Sequence, residues 1–228
     1  MKYDVLLADV DGTLLDFHAG EKIALTTVLK AFALPWDDDT IALYSRINAG
    51  HWKKLERGET TQARLRVDRF HDFVQALSVE ADYVAMNERF ADELGQQRIL
   101  LPGALELCET VSAQIPIVLV TNGISRIQRS RLSGCAFTPH LRGIVISEEL
   151  GHAKPEPHMV LEGMRLAGVC DLRRAVLLGD SVTADIGAAQ NANVDSVLFT
   201  AGKPAPAGHG ATYTAHTLQE AATYILQS

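Results

Sequence analysis

Asp9 and Asp11 stand one residue apart at the end of an apolar run, Tyr3-Asp4-Val5-Leu6-Leu7-Ala8, and Gly12 and Thr13 follow them. A buried strand that ends in Asp-Val-Asp-Gly-Thr brings two like charges to the mouth of a sheet. That is costly unless a cation or a proton offsets the repulsion. On a parallel sheet, the carboxyl ends of strands are also where ligands bind. The chemistry on offer is a carboxylate nucleophile, a second carboxyl as proton donor, and a divalent cation between them.

Other reactive side chains follow the same rule of position. Thr121 and Asn122 come after the apolar run 115–120, and Lys154 comes just after the run 143–147. Asp180 closes the run 175–179, and Asp185 lies five residues beyond it. Taken singly, each has a plain explanation. Asp11-Gly12 and Thr121-Asn122-Gly123 make turns, Lys154-Pro155 is a solvated lysine before a helix, and Asp185 complements a helix dipole. Four strand ends presenting Asp/Asp, Thr, Lys and Asp/Asp to one rim make a convergent site.

Such a rim needs a parallel sheet. The short continuous apolar runs alternate with helical segments from residue 101 onward, which predicts βαβ units with both sheet faces covered. Between residues 19 and 94 the texture differs, because apolar residues recur at helical spacing. Leu25, Val28, Leu29 and Phe32 form one stripe, Val67, Phe70, Val74 and Leu77 another, and Tyr83, Met86, Phe90 and Leu94 a third. The cluster Asp37-Asp38-Asp39 and the break at Gly58 separate these helices. The fold class is α/β, a doubly wound parallel sheet with an inserted all-helical cap. Residues 1–16 plus 96–228 form the core, and 17–95 form the cap.

The motifs Asp9-Val10-Asp11-Gly12-Thr13, Thr121-Asn122-Gly123, Lys154-Pro155 and Gly179-Asp180-Ser181 with Asp185 resemble, in order, the four motifs of the haloacid dehalogenase-like hydrolase superfamily. The insertion after the first motif is similar to that family's helical cap, and the core to its Rossmann-like sheet. The resemblance implies that Asp9 attacks phosphorus and that Asp11 protonates the leaving oxygen and later deprotonates water. It implies that Thr121 hydrogen-bonds the phosphoryl group and that Lys154 balances charge. Mg²⁺ would be held by Asp9, Asp180 and the main-chain carbonyl of Asp11, with Asp185 as a further or water-mediated ligand. These residue types suit phosphoryl transfer, because a phosphate dianion repels a carboxylate nucleophile and a metal and a lysine must screen both. Phosphate-monoester hydrolysis calls for up to ~10²¹-fold acceleration. One general acid contributes about 10²–10⁴ of it, so a covalent intermediate and the metal share the rest. Asp11 disfavours a true dehalogenase, which needs no leaving-group acid there.

A narrower resemblance, to the pyrimidine 5′-nucleotidase branch, rests on Asn48 and Trp52 with three residues between them, Gly58, Arg126-Ile127-Gln128-Arg129 and Ile146-Ser147-Glu148-Glu149-Leu150-Gly151. It implies a nucleoside monophosphate as the small phosphorylated partner. Trp52 would stack on the base, Asn48 would read its edge, and Asn122 would join them on substrate. Plainer roles are core packing for Trp52 and a solvated helix position for Asn48. A phosphatase of sugar phosphates or phosphoglycolate, or a phosphomutase, would keep every core motif. A receiver-type signalling module would lack both the insert and Asp11. The cap is expected to swing over the rim at residues 16 and 96–100, excluding water during transfer.

With 228 residues and 47% hydrophobic content, the chain is sized for one large domain or a core with an insert. A net charge of −7 argues against nucleic-acid polymers and acidic membranes as partners. No apolar stretch approaches the ~20 residues of a membrane span. Cys108, Cys135 and Cys170 lack metal-ligand spacing and are expected to be reduced core or near-core thiols, which with the absence of a secretory start fits the cytoplasm. None of the eight histidines shows ligand spacing to another, and each is expected to be an ordinary residue. A monomer or a homodimer is compatible with all of this.

Overall fold

A computed structural model describes residues 1–227. In chain order the elements are β1 (Val5–Ala8), α1 (Phe17–Ala31), α2 (Asp38–Glu56), α3 (Gln62–Ala76), α4 (Tyr83–Gly95), α5 (Ala104–Ser112), β2 (Ile117–Thr121) and α6 (Ser125–Leu132). They continue with β3 (Gly143–Ile146), α7 (Ser147–Leu150), α8 (His158–Ala167), β4 (Ala175–Gly179), α9 (Gly187–Ala192), β5 (Asp195–Phe199), β6 (Tyr213–Ala215) and α10 (Leu218–Gln227).

The six strands form one parallel sheet in the order β3-β2-β1-β4-β5-β6. Every residue of β1, β2 and β4 is buried, as expected of strands covered on both sides. Strand alternation sorts them between two cores. Leu6, Ala8, Leu119 and Leu178 pack with Leu107 and Val111 of α5 and Leu218 and Ile225 of α10. Val5, Leu7, Val120 and Leu177 pack with Met159 and Met164 of α8 and Ala188 and Ala192 of α9. The sheet is thus doubly wound. The chain runs outward from β1 through β2 to β3, then restarts on the other side at β4, so the order reverses around β1. Ala8 lies in register with Leu119 on one side and Leu178 on the other, so Asp9 issues between the ends of β2 and β4.

The chain divides into two compact units: residues 1–17, 98–125 and 132 onward, and residues 18–97 with 126–131. Within the first unit, the segments flanking the insertion pair with each other. Leu15 bridges Leu100, Asp16 N–H donates to Ile99 O at 2.8 Å, and Leu101 N–H donates to Leu14 O at 2.9 Å.

The second unit is helical. Asp37, Thr61 and Asp82 cap α2, α3 and α4 by accepting from Thr40, Arg64 and Ala85 N–H groups. Tyr44 of α2 packs against Phe70, Phe73 and Phe90 at ring separations of 4.9, 5.3 and 5.4 Å. Beside these rings runs a buried polar chain. Asn48 Nδ2 donates to Glu21 Oε1 at 2.7 Å, Arg69 donates to Asn48 Oδ1 at 3.2 Å, and Arg69 donates to Asn87 Oδ1 at 3.0 Å.

Some expectations need correction. Val67 is 38% exposed, and the inward face of α3 runs through Leu65, Arg69 and Phe73 instead. A buried arginine is invisible to an apolar pattern. The second strand starts at Ile117 rather than at 115, because Ile115 N–H is bonded to Val111 O and Pro116 has no N–H. Strand β6, three residues long, gives no periodic signal. Cys108 and Cys135 are buried but Cys170 is exposed, in the loop after α8.

Candidate active site

Asp9 extends the β1–β4 ladder by one residue, its N–H donating to Leu178 O at 2.9 Å. Lys154 Nζ, only 2% exposed, lies 2.6 Å from Asp9 Oδ1, 2.6 Å from Asp185 Oδ1 and 2.8 Å from Val120 O. An ammonium has three N–H donors, and all three are used. Asn122 fixes the lysine's backbone from both sides: Lys154 N–H donates to Asn122 Oδ1 and Asn122 Nδ2 donates to Lys154 O, each at 2.8 Å. Both polar ends of Asn122 therefore serve to position Lys154.

Asp185 is held just as firmly. A π-helical turn at Val182–Ile186 folds its side chain back, so that Ser181 N–H donates to Asp185 Oδ2 at 2.9 Å while Oδ1 holds Lys154. Such turns recur at functional sites. Gly179 makes the approach possible, since a Cβ there would lie 2.2 Å from Asp185 Cγ. Gly12, at φ +88°, does the same for Asp180: a Cβ would meet Asp180 Oδ2 at 2.3 Å. Thr13 Oγ1 approaches Asp9 Oδ2 at 3.4 Å, and Thr121 Oγ1 accepts from Gly123 N–H at 3.1 Å in a tight turn.

The rim is overloaded with negative charge. Burial pushes the Asp9 carboxyl well above the usual carboxylate range, against the pull of Lys154 and with added repulsion from Asp185 and Asp180. Loss of hydration, then Asp185, pushes Asp180 up to about 7. Burial alone would lower Lys154, but Asp185 and Asp9 outweigh it and hold the ammonium firmly charged. Carboxylate oxygens of Asp9, Asp180 and Asp185 lie within 4.8 Å of one another. Three carboxylates with one lysine to balance them suit a hard divalent cation, which would relieve the repulsion on both raised carboxyls.

The sheet order thus brings Asp9, Thr121, Lys154, Asp180 and Asp185 to one rim, with Asp11 in the turn that follows Asp9. Asn48 and Trp52 lie on α2 in the helical unit. Asn48 is buried in the polar chain with Glu21 and Arg69, and Trp52 is half-buried. Val120 O, a main-chain acceptor, carries no side-chain signal and was not legible in the sequence. His152 and His158 are exposed and lie beside Glu156 at the loop that carries Lys154, a proximity that sequence spacing did not signal.

A family model described as haloacid dehalogenase-like hydrolase matches residues 3–193. The chain is 32% identical over 201 residues to pyrimidine 5′-nucleotidase PynA of Streptococcus pneumoniae, covering 87% of this chain and 84% of PynA. It is 28% identical over 221 residues to pyrimidine 5′-nucleotidase YjjG of Escherichia coli, covering 96% of each. A phosphoglycolate phosphatase of Caulobacter vibrioides is 30% identical over 206 residues, 85% of this chain and 78% of that enzyme. Among solved structures, the HAD-hydrolase YfnB of Bacillus subtilis, bound to magnesium, matches with a TM-score of 0.91 at 29% identity over 100% of both chains.

Proposed function

Because the chain belongs to the haloacid dehalogenase-like hydrolase family, we propose that it is a Mg²⁺-dependent phosphatase working through an aspartyl-phosphate on Asp9. Its preferred substrates are (deoxy)pyrimidine nucleoside 5′-monophosphates. The carrying observation is the three-way contact of Lys154 with Asp9 and Asp185, set against a surplus of carboxylate at the end of β1. That surplus is out of proportion to any structural need, since a buried ion pair requires one anion and not three.

Asp9 attacks phosphorus, the bond from phosphorus to the leaving oxygen breaks, and Asp11 gives that oxygen its proton. Water then attacks the aspartyl-phosphate, Asp11 takes the water's proton, and inorganic phosphate leaves with Asp9 restored. Lys154 draws charge from the phosphoryl oxygens while holding Asp9 in line, and the Thr121 hydroxyl orients the same group. Asp9, Asp180 and the Asp11 carbonyl would hold Mg²⁺, which when bound supplies positive charge where carboxylate and phosphate must meet. Both Asp185 oxygens are already engaged, by Lys154 and by Ser181 N–H, which favours a positioning or water-mediated role over direct ligation. Asn122 contributes by fixing the lysine.

The nucleotide preference is supported by the similarity to two pyrimidine 5′-nucleotidases. Trp52 supplies a partly exposed flat ring suited to a base. Asn48 commits its amide to Glu21 and Arg69 and supports α2 from beneath. A second reading, phosphatase of a small acid or sugar phosphate, is favoured by the phosphoglycolate phosphatase relative.

A phosphate-release screen with Mg²⁺ decides between them. UMP, dUMP and dTMP should turn over faster than sugar phosphates and phosphoglycolate, with Asp9→Asn as the inactive blank. Equal rates on all substrates would remove the nucleotidase assignment and leave the phosphatase. Activity in Asp9→Asn would remove the covalent mechanism.

A further inference from the structure

We propose that His152, Glu156 and His158 form a surface site for one divalent transition-metal ion, separate from the Asp9 rim and of opposite chemical character. The side chains are 43%, 53% and 52% exposed, so a solvated ion can reach them. Glu156 Oε2 lies 2.6 Å from His152 Nδ1 and 3.4 Å from His158 Nδ1. Donors bound to one tetrahedral ion at the usual zinc–nitrogen and zinc–oxygen lengths are about 3.3 Å apart. The second spacing is close to that value; the first is a hydrogen bond, which Glu156 gives up when the ion enters. The imidazoles are stacked, 3.9 Å apart and 17° from parallel, and ligation requires each exposed ring to rotate until its in-plane nitrogen meets one ion beside Glu156 Oε2.

The backbone explains why these three side chains meet. Glu156 N–H closes a turn on Ala153 O at 2.8 Å, which sets residues 152 and 156 side by side. Asn122 bonds both the N–H and the C=O of Lys154 within that turn, and Asn191 Nδ2 donates to Pro155 O at 2.9 Å. Pro155 and Pro157 restrict the remaining dihedrals before His158 opens α8. The ligands are therefore carried by a backbone frame that exists for another purpose, and binding has side-chain rotamers but little backbone left to order.

The donor set selects the ion. Two imidazoles and a carboxylate suit Zn²⁺, Ni²⁺, Co²⁺ or Cu²⁺, with water completing the shell. Mg²⁺ prefers oxygen and holds its waters, so it favours the rim carboxylates and not this site. Excess Mg²⁺ therefore separates the two sites in one experiment.

The full chain, with Mg²⁺ in excess, is titrated with Zn²⁺ in a calorimeter, alongside His152→Ala, His158→Ala and Glu156→Gln. The wild type should bind one Zn²⁺ per chain, and each substitution should weaken that binding roughly tenfold or more. Circular dichroism checks that the variants are folded, which their exposure favours. Zinc-edge anomalous diffraction from soaked crystals should place the ion beside a ring nitrogen of His152 and of His158 and a carboxylate oxygen of Glu156. No Zn²⁺ uptake in the presence of Mg²⁺, binding unchanged in the histidine variants, or an ion only at Asp9 and Asp180 would each overturn the proposal. The outcome is independent of the phosphatase assignment, because no substrate enters the measurement.

Discussion

Replacing Lys154 by Met removes the one cation among the rim carboxylates while keeping all but the last atom of the side-chain length. The ammonium is 2% exposed and contacts Asp9 and Asp185 at 2.6 Å each. At an effective dielectric near 20, two such attractions sum to about 13 kcal/mol gross. Burial of the ammonium offsets several of these, and breaking a buried pair by deleting one partner typically loses about 3–5 kcal/mol net. For a chain of this length that lowers the melting temperature by roughly 6–20 °C. The assay is thermal unfolding followed by circular dichroism, in EDTA, at pH 5 and pH 8. Burial already holds the Asp9 carboxyl above the usual range, and removing Lys154 raises it further. The folded variant then keeps a proton that the unfolded chain releases, so its stability falls as pH rises above the ordinary carboxylate range. The gap from wild type should be wider at pH 8 than at pH 5. A second change, Asp185→Asn, removes one of the orphaned charges and should restore part of the loss, making the cycle non-additive. A Lys154→Met melt within roughly 2 °C of wild type at pH 8 would refute the electrostatic account.

Asp180→Asn tests the same surplus from the other side. With the carboxyl raised from 3.8 to about 7, wild-type stability declines with rising pH across that window and is lowest above it. The full linkage would be about 4 kcal/mol, but more than a third of the residue faces solvent, so screening leaves about 1–2 kcal/mol. In EDTA, Asp180→Asn should therefore melt higher than wild type at pH 8 and no higher at pH 4, and Mg²⁺ should reverse the order at pH 8. Asp11→Asn should lower kcat about 10²–10⁴-fold on nucleoside monophosphates, with a smaller loss on an aryl phosphate whose leaving group needs no proton. Equal losses on both would argue against leaving-group protonation. Gly12→Ala meets both a φ of +88° and Asp180 Oδ2 at 2.3 Å. It should destabilise by about 1–2 kcal/mol from the backbone alone and raise the Mg²⁺ concentration for half-maximal activity, read from melts and a Mg²⁺ titration.

Much of the rim was legible in the sequence because its residues sit at ends of uninterrupted apolar runs, and run and sheet position are tied together in a doubly wound fold. Asp9, Thr121, Lys154 and Asp180 could be placed on one edge from that rule. Strand β6 was not legible, since three residues carry no period. Arg69 and Asn48 were obscured for a different reason: polar side chains buried in a mutual network resemble surface residues in any hydropathy pattern. The convergence of His152 and His158 was hidden because spacing rules assume a helix or an open loop. Here a turn closed by Glu156 and clamped by Asn122 sets the distance.

The pairing of residues 14–16 with 99–101 carries a consequence for how such a chain diversifies. Closing a flexible segment of about 80 residues costs on the order of 4 kcal/mol in chain entropy. The α/β unit meets that cost itself, by hydrogen-bonding the two stems to each other. What lies between the stems is therefore free to change in length and sequence without moving Asp9, which is anchored to Leu178 on the far side of β1. On the proposed function, with reaction at Asp9 and base recognition at Trp52, the two lie on separable stretches of chain, so a lineage can exchange one substrate for another while the aspartate pair stays in place.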